Sequence, residues 1–130
     1  DGDCTITGSY LLLYRAVYNL VENAIKYNHP GGKVTVNIQQ KKSLLNAAVS
    51  PAPADCAFIE VSDTGIGISP EYQEKIFTPF FRVDKSRSRA MGGAGLGLAL
   101  VNEIARQHGG EVKVLKSDKN GSTIALILPL

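Results

Sequence analysis

The chain has 130 residues, 44% hydrophobic and 20% charged, with a formal net charge of +2. This fits one soluble domain with a single core, and the near-neutral charge argues against a nucleic-acid or anionic-membrane binder. Only Cys4 and Cys56 are present, at a spacing that matches no metal motif or disulfide framework, so a reducing cytoplasmic setting is expected; no apolar run approaches the roughly 20 residues of a membrane span, and no signal peptide is visible.

Cys4-Thr5-Ile6-Thr7 reads as a short strand, and Ser9 is placed to cap a helix. From Tyr10 to about Tyr27 the pattern is helical. Leu13, Ala16, Val17, Leu20, Val21 and Ala24 fall on one side, at spacings of three and four. Asn19, Glu22, Asn23 and Lys26 fall on the opposite side. Asn is a poor helix former, and a merely solvated face more often carries Glu, Lys or Gln. Two asparagines four apart offer neutral oxygens that suit Mg²⁺ alongside phosphate oxygens and water. Lys26 adds a positive charge one turn on, and Glu22 is placed to orient water. A solvent face with incidental asparagines is the competing reading. Asn28-His29-Pro30-Gly31-Gly32 stops the helix.

Residues 33–39 alternate strictly and predict a half-buried strand. Residues 40–57, with the turn-rich Ser50-Pro51-Ala52-Pro53-Ala54-Asp55, read as a long hairpin loop whose role is not legible. Phe58, Ile59 and Val61 then predict a buried strand ending at Asp63. A carboxylate there is poorly placed for a core and well placed at the mouth of a pocket. Gly65 and Gly67 allow a tight turn and a close approach to a ligand. An acceptor-only carboxylate beside such a turn suits an exocyclic amine, as on adenine, and repels the carbonyl of guanine. A charge-assisted hydrogen bond of ~1.5–3 kcal/mol corresponds to roughly tenfold to a hundredfold in affinity. Asp-Thr-Gly alone also fits an ordinary strand-to-loop turn.

Ser69-Pro70-Glu71 reads as the start of a short helix ending near Ile76 and Phe77, with Ser69 as its cap. Phe77, Phe80 and Phe81 are expected to anchor the following loop to the core. Residues 82–91 are basic and lack periodicity. They read as a mobile loop, either solvated surface or a lid over phosphates. Gly92-Gly93-Ala94-Gly95-Leu96-Gly97-Leu98 opens a helix running to about His108, with backbone N–H groups at its positive end, an arrangement suited to phosphate. The spacing matches neither the dinucleotide fingerprint nor the Gly-Lys-Ser/Thr phosphate loop, and the eukaryotic-type kinase set is absent. Two more strands are expected at 112–115 and 122–128, joined by a hairpin turn at Asp118-Lys119-Asn120-Gly121. His29 and His108 stand at helix ends and read as caps or surface residues.

Four stretches in this order resemble the ATP-binding catalytic domain of bacterial sensor histidine kinases, within the ATPase superfamily shared with DNA gyrase, the Hsp90 chaperones and MutL. Residues 19–27 resemble the N box, Asp63-Thr64-Gly65-Ile66-Gly67 the first glycine box, Phe77-Thr78-Pro79-Phe80-Phe81-Arg82 the F box, and Gly93-Ala94-Gly95-Leu96-Gly97-Leu98 the second glycine box. The resemblance covers nearly the whole chain. It implies a Bergerat-type fold: a two-layer α/β sandwich with a mixed, mainly antiparallel sheet and about three helices on one face.

The resemblance also implies ATP and Mg²⁺ as cofactors. Asn23 would ligate Mg²⁺, helped by Asn19, and Lys26 and Tyr27 would approach the phosphates and ribose. Asp63 would accept from the adenine amino group. Gly65, Gly67, Gly93, Gly95 and Gly97, with Phe80, Leu96 and Leu98, would shape the pocket. Arg82, with Lys85 as a second candidate, would reach the terminal phosphate from the lid, so that Asn23, Arg82 and Lys85 form the catalytic set. The γ-phosphoryl group would pass to a histidine on a separate helical phosphoacceptor domain, and from there to a response regulator. Ala94 stands where the family has Thr or Ser, which removes a hydroxyl contact. The phosphoacceptor helix is not among these residues, so the expectation is one catalytic domain, residues 1–130, from the cytoplasmic portion of a larger, membrane-associated, dimeric kinase. A nucleotide-binding module that signals without phosphotransfer and an anti-sigma-type serine kinase remain alternatives.

Overall fold

A computed structural model describes residues 8–43, 54–79 and 97–130. Helix α1 spans Tyr10–Lys26. Ser9 caps it as expected, its hydroxyl accepting the Leu12 N–H at 3.2 Å. His108 supplies a second tie at this end. Its Nε2 accepts the Ser9 N–H at 3.1 Å, while Nδ1 lies 2.8 Å from the Ile104 carbonyl. The histidine therefore acts as a cap, joining the start of α1 to the end of the second helix, α2, at Gly97–Gln107.

Four strands form one antiparallel sheet in the order β1-β2-β4-β3. They are β1 Val34–Ser43, β2 Ala54–Asp63, β3 Glu111–Asp118 and β4 Gly121–Pro129. The first two run several residues beyond the sequence expectation, pairing without interruption from Val34 with Asp63 to Ser43 with Ala54. Long pairing into a polar segment needs only backbone partners, which side-chain alternation does not report. The β3–β4 hairpin turns through Lys119 and Asn120, so that Asp118 pairs with Gly121. Its register shifts between Val114 and Lys116, where Leu115 is accommodated as a bulge.

Both helices pack on one face of the sheet. Leu20 and Ala24 of α1 and Val101 and Ile104 of α2 meet Val61, Val112, Ile124, Leu126 and Leu128 in one buried cluster. Alternation along β2 and β4 sends Cys56, Phe58, Ala125 and Ile127 to the other face, where they form a second buried cluster. Burial pushes the Cys56 thiol above its usual range, and Asp55 and Glu111 add to the shift. That makes a weak nucleophile, consistent with a structural role.

The helix expected from Ser69 is instead two 3₁₀ turns, Pro70–Tyr72 and Lys75–Phe77, and Ser69 makes no side-chain cap bond. So short a segment gains little from α-helical propagation. It is also held at its entry, where Ile68 N–H donates to Ser117 Oγ at 2.6 Å and Gln73 Nε2 donates to the Ile68 carbonyl at 3.1 Å. Ile68, Ile76 and Phe77 all pack against the main core, so Phe77 anchors as expected; Phe80 and Phe81 lie outside the described residues.

Leu126 is fully buried at the centre of this cluster. Leu126→Ala is expected to lower unfolding stability by ~2–5 kcal/mol in urea titrations followed by circular dichroism. A change near zero would place the core elsewhere.

Candidate functional site

Asp63 ends β2, half-buried, beside the first residues of β4. Three donors converge on its carboxylate. Oδ1 accepts the N–H of Gly65 at 2.9 Å and that of Ser122 at 3.3 Å, and Oδ2 accepts the Ser122 hydroxyl at 3.1 Å. Ser122 is itself buried, at 7% exposure. Every protein partner is a donor, matching the acceptor character of a carboxylate.

The turn after Asp63 is tied to the end of α1. Thr64 N–H donates to the Lys33 carbonyl, and Lys33 N–H donates to Thr64 Oγ1 at 2.9 Å. Asn28 completes the junction: its Nδ2 donates to the Lys33 carbonyl at 2.9 Å, and its Oδ1 accepts from Thr64 Oγ1 at 3.2 Å. Gly65 is buried here, and an added Cβ would collide with the Tyr27 carbonyl. Gly65 thus permits a close approach to the backbone at the end of α1. Gly67 has φ +76°, and a Cβ there would strike the Asp118 carbonyl of the hairpin. The two glycines therefore wedge the turn between α1 and the β3–β4 hairpin.

Asn19, Glu22, Asn23 and Lys26 are all half-buried on α1. Lys26 Nζ lies 3.9 Å from Glu22, a pair of ordinary surface strength. Asn19 Nδ2 donates to the Arg15 carbonyl at 2.9 Å, and its Oδ1 faces Gly97, 3.5 Å from where a Cβ would stand. The start of α2 is thereby brought against the polar side of α1. Asn23 makes no side-chain hydrogen bond to another described residue. Its amide is available to a ligand.

Among the described residues no group of three or more His, Cys, Asp and Glu side chains could hold a metal ion. The amide oxygens of Asn19 and Asn23 can supply one or two neutral ligands to Mg²⁺, which keeps waters and takes its remaining oxygens from phosphates. The donor set fits Mg²⁺ delivered with a nucleotide and does not fit a metal held by protein alone. A polar hollow of about 180 Å³ also opens by Asp63, lined by Lys116, Asp118, Asn120, Gly121, Ser122 and Thr123. It is smaller than a ligand pocket of ~300–1,000 Å³ and is walled largely by the β3–β4 hairpin.

Of the residues named from sequence, Asn19, Asn23, Lys26, Tyr27, Asp63, Gly65, Gly67, Gly97 and Leu98 are described. Leu98 packs against the main core. Phe80, Arg82, Lys85, Gly93, Gly95 and Leu96 lie outside the described residues, as does Ala94. Sequence reading missed Ser122, Asn28 and Ser117. Ser122 was within reach of an extrapolation, because the expected hairpin puts it at the start of the strand that pairs with β2. In the sequence Asn28 marks only a helix stop.

The family described as histidine kinase-, DNA gyrase B-, and HSP90-like ATPase matches residues 8–130. The sensor-like histidine kinase SenX3 of Mycobacterium tuberculosis is 42% identical over 124 residues, covering 95% of this chain and 27% of that protein. The sensor histidine kinase RppB of Synechocystis is 39% identical over 130 residues, covering all of this chain and 26% of RppB. The chain thus spans about a quarter of the length of these relatives. Among solved structures, the mycobacterial sensor histidine kinase MprB aligns with a TM-score of 0.76 at 32% identity, covering 95% of this chain and 76% of that one. Full-length ShkA in complex with AMPPNP aligns with a TM-score of 0.62 at 25% identity, over 91% of this chain and 21% of ShkA.

Gly67→Ala adds a side chain at positive φ and against the hairpin carbonyl. It is expected to destabilise the fold by more than ~1–2 kcal/mol. A melting temperature equal to wild type would contradict the wedged-turn geometry.

Proposed function

The chain belongs to the histidine kinase-, DNA gyrase B-, and HSP90-like ATPase family, as an ATP-binding histidine-kinase catalytic domain, and from that premise we propose the following placement of substrate and chemistry. The purine rests at the end of β2 with its exocyclic amine on Asp63. The phosphates run along the polar side of α1, past Lys26 and Asn23, toward Asn19 and Gly97. The single observation that carries this reading is the acceptor-only carboxylate of Asp63, ringed by protein donors at the mouth of a turn clamped to α1.

Asn19 and Asn23 would hold Mg²⁺ through their amide oxygens. When bound, the ion supplies neutralisation of phosphate charge. Lys26 adds a cation on the same side, and the N–H groups at the start of α2 favour an anion. Arg82 and Lys85 are proposed to meet the terminal phosphate, and Phe80, Gly93, Gly95 and Leu96 to line the covering segment. A histidine nitrogen on a separate helical phosphoacceptor domain attacks the γ-phosphorus, the bond to the β–γ bridging oxygen breaks, and ADP leaves. Positioning and charge stabilisation carry most of such a step. The phosphoryl group then passes to a response regulator. Residues 1–130 are proposed as one catalytic domain acting within a larger kinase.

Ala94 favours a second reading, a nucleotide-binding module that signals without transfer. The two separate when the domain is mixed with the phosphoacceptor domain of its parent kinase and labelled ATP. The first reading expects label that resists alkali and is lost in acid, as on histidine. Tight ATP binding without label would favour the second, and alkali-labile, acid-stable label would indicate a serine acceptor.

Asp63→Ala is expected to weaken binding about a hundredfold in a fluorescent ATP-analogue titration, with an unchanged circular dichroism spectrum. Unchanged affinity would mean that the base lies elsewhere. Asn23→Ala is expected to remove the Mg²⁺ dependence of the same titration, and an unaltered response to Mg²⁺ would exclude Asn23 as a ligand.

A further inference from the structure

We propose that helix α1 carries a self-association surface, on which a second copy of this chain docks its own α1 antiparallel across a two-fold axis. Leu11, Tyr14, Tyr18, Val21 and Ile25 recur at spacings of three, four, three and four. That is the repeat of a two-helix seam, separate from the stripe of Ala16, Leu20 and Ala24 that faces the core. At about 100° per residue, the seam lies roughly 130° around the helix from Asn19, Asn23 and Lys26, and about as far from the core stripe. Pairing through it leaves the polar side of α1 open.

The seam is apolar and largely exposed. Leu11, Tyr14, Tyr18 and Ile25 are 62%, 59%, 54% and 61% exposed, and Tyr10 beside them is 83% exposed. The three tyrosines alone present about 300–500 Å² of surface per copy. A contiguous exposed apolar patch of that size marks an interaction site. The rings already stack on one another, at centroid separations of 6.3 and 6.4 Å. Little side-chain freedom is therefore lost when a partner covers them.

The charges beside the seam select a second copy as that partner. Arg15 directly follows Tyr14, and Glu22 directly follows Val21, so the two lie one heptad apart on the same flank. Arg15 is exposed and forms no ion pair with another described residue, and Glu22 has only its 3.9 Å contact with Lys26. In an antiparallel pair equivalent flanks meet. Arg15 of one copy then faces Glu22 of the other, and the two-fold axis repeats the contact. The same register sets Tyr14 on Ile25 of the other copy and Tyr18 on Val21. The charge order along α1 is thus complementary to its own reverse. Two copies cover about 600–1,000 Å² of tyrosine surface, the size of a weak and transient contact. Domains tethered in one parent molecule at about millimolar effective concentration would be paired by it.

Sedimentation equilibrium of the 130-residue chain, from about 5 to 500 µM at low salt, tests the pairing. A monomer–dimer equilibrium is expected. Tyr14→Ser combined with Tyr18→Ser is expected to weaken it at least about tenfold, with an unchanged melting temperature. Arg15→Glu and Glu22→Arg, each alone, set like charges across the axis and are expected to weaken it about fivefold or more. An equimolar mixture of these two single variants restores opposite charges on both sides of the axis, and is expected to dimerise as well as wild type. A chain that stays monomeric throughout, a dimer indifferent to the tyrosine pair, or a mixture that associates no better than its components would overturn the proposal. So would a monomer that binds the phosphoacceptor domain of the parent kinase through the same tyrosines, which would assign the seam to that domain.

Discussion

The end of β2 meets the start of β4 at one pair, Asp63 with Ser122, and the rest of the candidate site depends on that pairing. It supplies two of the three donors that hold the carboxylate. A partly buried carboxylate without donors would be costly. Here the partners are three neutral donors, which hold the group in place and leave acceptor capacity unused. The Lys119-Asn120 hairpin is what brings Ser122 into this position, and Gly67 keeps the glycine turn in contact with the same hairpin.

Helix α1 serves as the opposite wall, and its circumference divides into three arcs. Ala16, Leu20 and Ala24 are buried in the core. Asn19, Glu22, Asn23 and Lys26 form a half-buried polar arc. Tyr10, Tyr14 and Tyr18 form the third and are exposed, stacking on one another with ring centroids 6.3 and 6.4 Å apart. The core arc fixes the rotation of the helix, so hydrophobic packing aims the asparagines. The Asn28–Thr64–Lys33 junction then locks the C-terminal end of α1 to the turn carrying Asp63.

Much of this was legible in the sequence, for identifiable reasons. Spacings of three and four give α1 a clear period, and Ser9 marks its start. Alternation at 33–39 and the Asn-Gly pair located strands and a hairpin. The four motifs in order pointed to the family, and the comparisons bear that out along with the sandwich fold. What escaped were contacts between segments distant in sequence. Nothing in the local sequence around Ser122, Ser117 or Asn28 states that their partners lie 59, 49 or 36 residues away. The segment after Ile68 misled for a related reason. Ser-Pro-Glu is a good local helix start, but tertiary ties to Ser117 and the pull of Ile76 and Phe77 into the core favoured 3₁₀ turns. Gly65 also makes a close approach that its local sequence does not state, to the Tyr27 carbonyl at the end of α1.

The central claim is that a purine's exocyclic amine sits on the one open oxygen of Asp63 while its phosphates follow α1. A crystal structure with Mg²⁺ and a non-hydrolysable ATP analogue measures this directly, as the distance from Asp63 Oδ2 to the exocyclic nitrogen of the base. The account predicts a separation of about 2.7–3.2 Å, with Ser122 still bonded to the same carboxylate. A base bound with that nitrogen out of reach of Asp63, or phosphates lying away from Asn19 and Asn23, would contradict it.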